Sequence, residues 1–110
     1  MQTAQGDPLA ACTLVPDRQP ISSCVPRRRS TVAGLVREVR SVEVDGSTSV
    51  VVVIEDEQGD SLTAVWHGRR ELPGIGAEST LALTGTVTEV KGAKKMLDPS
   101  YTIISPNLEL

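Results

Sequence analysis

Hydrophobic residues are thinly scattered up to residue 30 and then fall into short runs with a period near two. From Thr31 to Val44 the chain is rich in β-branched residues, and Val36, Val39, Val42 and Val44 are interleaved with charged side chains. The step from Val36 to Val39 breaks strict alternation, as a bulge or bend in one long strand does. Asp45-Gly46 follows, a pair suited to the positive φ angles of a tight hairpin turn. A continuous apolar strand from Ser49 to Glu55, a turn from Asp56 to Asp60 around Gly59, and a third strand from Ser61 to His67 come next.

Arg69 to Ser79 contains Pro73, Gly74 and Gly76, leaving room for one helical turn at most, so it reads as a connection between two halves. A fourth strand runs from Thr80 to Val90, with Gly85 where tight curvature needs a residue without Cβ. Lys91-Gly92-Ala93-Lys94 turns the chain into a fifth strand, Lys95 to Ile104. Five curved strands, the first long and bent, with a connection between the third and fourth, predict an all-β, five-stranded barrel of the oligonucleotide/oligosaccharide-binding (OB) type. Residues 1–26, with Pro8, Pro16, Pro20 and Pro26 and no period, form an irregular N-terminal arm whose apolar piece Leu9 to Val15 can pack on the barrel. Residues 27–106 form the OB domain and 107–110 a C-terminal tail.

Composition sharpens this picture. A chain of 110 residues suits one core, and a hydrophobic content of 39% with no Phe, one Trp and one Tyr makes that core aliphatic. The formal net charge of −3 excludes a uniformly basic binder, but the charge is segregated. Arg27, Arg28, Arg29, Arg37 and Arg40 face only Glu38 in their stretch, residues 41–68 carry acids without Lys or Arg, and basic charge returns at Arg69, Arg70, Lys91, Lys94 and Lys95. Cys12 and Cys24 with one His make no zinc site, and without a secretory signal they read as reduced cytoplasmic thiols rather than a disulfide. Leu9-Ala10-Ala11-Cys12 mimics a lipoprotein cleavage site, but Asp7 and Pro8 stand where an apolar segment belongs. No apolar run approaches membrane-spanning length.

Several short motifs together resemble a known group. Val32-Ala33-Gly34-Leu35-Val36-Arg37, Glu55-Asp56 with Gly59, Val65-Trp66-His67-Gly68-Arg69-Arg70, Pro73-Gly74-Ile75, Gly85-Thr86-Val87 and Asp98-Pro99-Ser100-Tyr101 resemble small actinobacterial proteins described as OB-fold nucleic-acid-binding domain proteins. The likeness covers residues 21–104. More distantly, Val50 to Trp66 is similar to the anticodon-binding OB domains of class II aminoacyl-tRNA synthetases and to the wedge domain of RecG helicase. The resemblance implies the OB fold and, by analogy, nucleic-acid binding.

In OB domains the ligand crosses the outer faces of strands two and three, between the loops that follow strands one and four. Alternation puts Leu62, Ala64 and Trp66 on one face of the third strand and Thr63, Val65 and His67 on the other. Likeness to the synthetase domains turns the first set inward, which makes Trp66 a core residue, with a base-stacking platform as the alternative. Val51, Val53 and Glu55 then face outward beside Thr63 and Val65, an aliphatic strip that suits cover by the arm of residues 1–26, a second copy of the chain or a protein partner. Arg37 and Arg40 lead toward the first hairpin, Lys91, Lys94 and Lys95 flank the last one, and Arg69 and Arg70 reach the same rim. These cations, with Thr63, Val65 and His67, are the candidate nucleic-acid-binding residues, acting mainly on phosphate. The competing role for Arg69 and Arg70 is salt bridging to Glu71 and Asp98. Tyr101 is a core residue with a bonded hydroxyl or a stacking residue.

Catalytic patterns are missing: the one His has no nucleophile motif around it, the glycines form no phosphate loop, and Asp56 with Asp60 is too short a series for calcium. The expectation is a cytoplasmic, non-catalytic OB module without cofactor or metal that binds single-stranded DNA or RNA. The alternative is a protein-interaction or self-assembly module using Val51, Val53 and Val65.

Overall fold

The structure, a computed structural model, describes residues 8–76 and 79–104. The C-terminal tail at 107–110 and the first seven residues of the arm lie outside the described residues. Six strands are present: β1 (Arg29–Val44), β2 (Ser47–Glu55), β3 (Ser61–His67), β4 (Thr80–Val90), β5 (Ala93–Leu97) and β6 (Ser100–Ile103). Strands β1, β2, β3, β5 and β4 are paired in that order, and β4 returns to β1, closing a five-stranded ring. All pairings are antiparallel except β3 with β5, which is parallel. This is the all-β OB connectivity expected from the strand pattern.

One long strand serves both halves of the ring because it changes partner midway. β1 pairs β4 from Arg29 to Leu35 and β2 from Leu35 to Val44. Its register on β2 slips between Val36 and Glu38, leaving Arg37 as the extra residue at the expected bulge. Gly34 sits at the change of partner, and a Cβ there would lie 2.6 Å from the Glu55 carbonyl oxygen. Only glycine lets two backbones approach this closely. The turn between β1 and β2 has φ of 52° at Asp45 and 82° at Gly46, the paired left-handed geometry of a tight hairpin.

The predicted fifth strand is broken in two. Pro99 has no N–H to give a ladder, Asp98 adopts φ of 51°, and the chain steps from β5 to β6 opposite Gly85, where a Cβ would lie 3.1 Å from the Pro99 Cβ. Both pieces remain on β4, β5 beside Val87–Val90 and β6 beside Leu81–Thr84.

Inward residues form the aliphatic core: Val32 and Val36 from β1, Val50, Val52 and Ile54 from β2, Leu62, Ala64 and Trp66 from β3, Leu81, Leu83 and Val87 from β4, and Met96 from β5. Trp66 is therefore inside. Its indole N–H donates to the Pro99 carbonyl at 2.9 Å, and its ring meets Tyr101 edge to face with centroids 5.7 Å apart. The Tyr101 hydroxyl donates to the Pro73 carbonyl at 3.3 Å.

The two ends of the ring are filled by segments outside the strands. In the connection between β3 and β4, Leu72 is buried and Ile75 packs on the core. At the other end the arm supplies Ile21 and Cys24. The described part of the arm holds two 3-10 helices, Pro8–Leu14 and Ile21–Ser23. The first packs against β1 and β4, where Cys12 is fully buried. Cys12 and Cys24 are buried thiols not bonded to each other. Asp56 anchors the second helix: its buried carboxylate accepts the Ile21 N–H at 2.8 Å while also accepting those of Gln58 and Asp60 at 3.0 Å. Lys94 donates to the carbonyls of Ile21 and Ser22 at 3.2 and 3.3 Å, and Arg18 pairs with Glu57 at 2.9 Å. Among the described residues no helix is long and apolar enough to cross a membrane.

Replacing Gly34 by Ala forces the new methyl into the Glu55 backbone, so the substitution should cost about 1–3 kcal/mol, as overpacking does. Urea unfolding of the Gly34→Ala variant checks this. An unchanged midpoint would mean the two strands separate at no cost.

Candidate nucleic-acid interface

Register determines which side chains share the outer face of β2, β3 and β5. Arg40 on β1 lies opposite Val51, Val51 opposite Val65, and Val65 beside Leu97. One step along, Glu38 lies opposite Val53, Val53 opposite Thr63, and Thr63 beside Lys95. Facing partners point to the same side of a sheet, so these two rows form one surface. Its centre is aliphatic and its rim is charged.

Val51 is 8% exposed even on this outer side, whereas Leu97 is 48% exposed. Leu97 was not among the residues marked out by the sequence. Alternation along the last strand carries the signal, since it places Leu97 on the same side as Lys95.

At the two ends of β3 the face runs into open clefts. One, of about 280 Å³, is lined by Val39, Arg40, Ser41, Val50, Arg70, Glu71, Leu72 and Ile75. The Ser41 hydroxyl donates to the Arg70 carbonyl at 3.2 Å there and ties the loop after β3 to the β1–β2 hairpin. The other, of about 450 Å³, lies by the β4–β5 turn and is lined by Ile21, Ser22, Asp60, Ser61, Thr63, Gly92, Ala93 and Lys94. The candidate residues thus divide between the face itself (Arg40, Thr63, Val65, Lys95) and its two ends, with Arg69 and Arg70 at one and Lys91 and Lys94 at the other.

Their charges are not equally available. Arg37 pairs with Glu55 and Arg40 with Glu38, each at 2.6 Å, and Lys94 is engaged by the arm carbonyls. Arg69, Arg70, Lys91 and Lys95 stand outside the ion pairs found among the described residues. The first three of these are exposed and Lys95 is half-buried. The expected competition from Glu71 and Asp98 does not take the form of a salt bridge to Arg69 or Arg70 among the described residues.

Asp98 instead holds His67. It accepts the His67 backbone N–H at 3.0 Å, and its other oxygen lies 3.3 Å from the ring Nδ1. Its own N–H donates to the Val65 carbonyl at 2.7 Å. The His67 backbone hydrogen bond, then the contact with the His67 ring, hold the Asp98 carboxyl below its ordinary value, and the charge of Arg69 works in the same direction. His67 is thereby fixed at the edge of the face, its ring exposed.

No protein-family model matches this sequence, and no curated protein matches it.

A carboxyl group lowered in the folded state stabilises the fold above its unfolded value and loses that contribution as the pH falls through its folded value. Asp98→Asn tolerates the same left-handed backbone but removes the charge. The melting temperature of the native chain should exceed that of Asp98→Asn at neutral pH, and the gap should close as the pH drops below the ordinary carboxylate range. A gap that stays constant down to pH ~2 would show that Asp98 charge contributes nothing to folding.

Proposed function

We propose that this chain is a non-catalytic OB module that binds single-stranded nucleic acid, DNA or RNA, across the outer face of β2, β3 and β5, mainly through phosphate contacts. The observation that carries the reading is the placement of Arg69, Arg70, Lys91 and Lys95 at the borders of that face, outside the ion pairs of the described residues. Arg70, Lys91 and Lys95 keep their attraction for phosphate undivided by such a pair, while Arg69 shares its field with Asp98. The resemblance to actinobacterial OB-fold nucleic-acid-binding proteins points the same way, and cysteines not bonded to each other fit a cytoplasmic setting.

The reading assigns different work to different candidates. Arg69, Arg70, Lys91 and Lys95 make the phosphate contacts, while Arg37, Arg40 and Lys94, already bonded, shape the rim. Thr63, Val65 and His67 form the floor, with the exposed imidazole of His67 the group on β3 able to stack on a base. With Trp66 buried, affinity rests on charge rather than stacking, so binding is weak and tolerant of sequence.

One observation favours a second reading, assembly with a protein partner or another copy. Leu97 extends the Val51–Val65 row with nearly half its surface in water, and an apolar strip of this kind gains by being covered.

Salt separates the two. Four single-strand phosphate contacts predict a slope of about −3 in a plot of log affinity against log salt. Titration of labelled DNA and RNA oligomers should give that slope, and the Arg69→Ala, Arg70→Ala, Lys91→Ala, Lys95→Ala quadruple variant should abolish it. No binding at low salt would reject the nucleic-acid reading. Self-association that persists in salt and is lost in Leu97→Asp, read by light scattering, would establish the second.

A further inference from the structure

The arginine run at the start of β1 is not part of the site just described, yet it adjoins the same outer surface. Arg29 lies opposite Thr86 on β4, and Lys95 on β5 lies opposite Thr88. Thr86 and Thr88 are two residues apart on one strand and share a side, so Lys95 and Arg29 flank β4 on one outward surface. They are separated by two strand spacings and a two-residue offset along the strand, about 12 Å in all. Thr86, Arg27, Arg28 and Arg29 are exposed, and none of the three arginines belongs to an ion pair among the described residues.

The backbone that presents them is unusual. Arg27 has φ of 74°, a left-handed conformation that side-chain-bearing residues rarely adopt. It is held there by hydrogen bonds from the Arg27 N–H to the Val87 carbonyl at 2.6 Å and from the Val87 N–H to the Arg28 carbonyl at 3.0 Å. Glycine suits this conformation better. An arginine at such a position keeps a charge where the backbone favours its removal.

We infer that Arg27, Arg28 and Arg29 extend the nucleic-acid track, so that a strand crossing β3 at Thr63 continues past Lys95 and over β4 to the arginine run. The inference rests on the proposed binding face and adds a second stretch of phosphate contacts, reached only by longer ligands. Site lengths of OB domains, about 4–16 nucleotides, span both cases. A strand of about 5 nucleotides occupies the β2–β3–β5 face alone, and one of about 15 engages the arginines as well.

The test uses the full chain with labelled oligothymidylate and oligouridylate of those two lengths. In Arg27→Gly, Arg28→Ala, Arg29→Ala the 15-mer should bind at least about tenfold more weakly at low salt, its slope against log salt shallower by about 2 for three lost contacts. The 5-mer should be unaffected. Lys replacements at Arg28 and Arg29 should retain most of the long-strand affinity, because phosphate contacts need charge rather than a guanidinium fork. Glycine at residue 27 removes the left-handed strain, so the triple variant should unfold at an unchanged or higher urea concentration. Equal losses for both lengths, or no loss for either, would overturn the extension and leave the β3 face standing. Wild-type chain that binds neither length would overturn both.

Discussion

Everything on the outer surface depends on how the ring is closed between β3 and β5. The other junctions of the ring are antiparallel ladders of four to nine residue pairs, but this one is a parallel ladder of three, Thr63–Val65 beside Lys95–Leu97. So short a seam does not hold by its ladder alone. Just beyond it, Asp98 and Pro99 add a cluster of bonds: Asp98 to the Val65 carbonyl, the His67 N–H to Asp98, and the Trp66 indole to the Pro99 carbonyl. The break that splits the last strand is therefore also the clasp of the ring. It aligns Lys95 and Leu97 with Thr63 and Val65, and it holds His67 at the margin.

A core without Phe sets the second constraint. Aliphatic side chains fill the middle of the ring, but its ends require plugs, and these come from the β3–β4 connection with Leu72 and Ile75 and from the arm with Ile21 and Cys24. Plugging the second end uses polar groups as well. Asp56 and Lys94 hold the Ile21 segment from two sides, so Lys94 has a structural task in the position where a loop lysine otherwise meets ligand. The same sharing of charge occurs at Arg37 and Arg40, whose carboxylates lie across the hairpin or two residues along the strand.

Much of the fold was legible in the sequence where the signals are local. Alternation put Leu62, Ala64 and Trp66 together on one face, the step from Val36 to Val39 marked the bulge, and Asp45-Gly46 gave the turn, because period and φ preference act within a few residues; which face turned inward rested on the resemblance. Pro99 carried the signal for the break in the final strand, but Met96-Leu97 before it and Tyr101 to Ile104 after it read as one strand. The plug formed by Ile21 and Cys24 was hidden, since its partners are remote and the surrounding prolines show no period. The charge state of the rim was hidden for a related reason: whether Arg37 meets phosphate or Glu55 depends on the pairing register of β1 and β2 rather than on neighbours in sequence. Exposure of Leu97 likewise follows from the parallel pairing with β3.

The arm also shapes the order in which the molecule can be assembled. Ile21 emerges from synthesis early, but its anchors lie 35 residues later at Asp56 and 73 residues later at Lys94. Non-local contacts form late because the loops they close must first be paid for in entropy. The hairpin of β1 and β2 can form while β3 to β6 are still unmade, whereas the stopper must wait, its hydrophobic side chains unsheltered, until the β4–β5 turn exists. For this chain a segment made ahead of the strands it plugs is among the last to find its place.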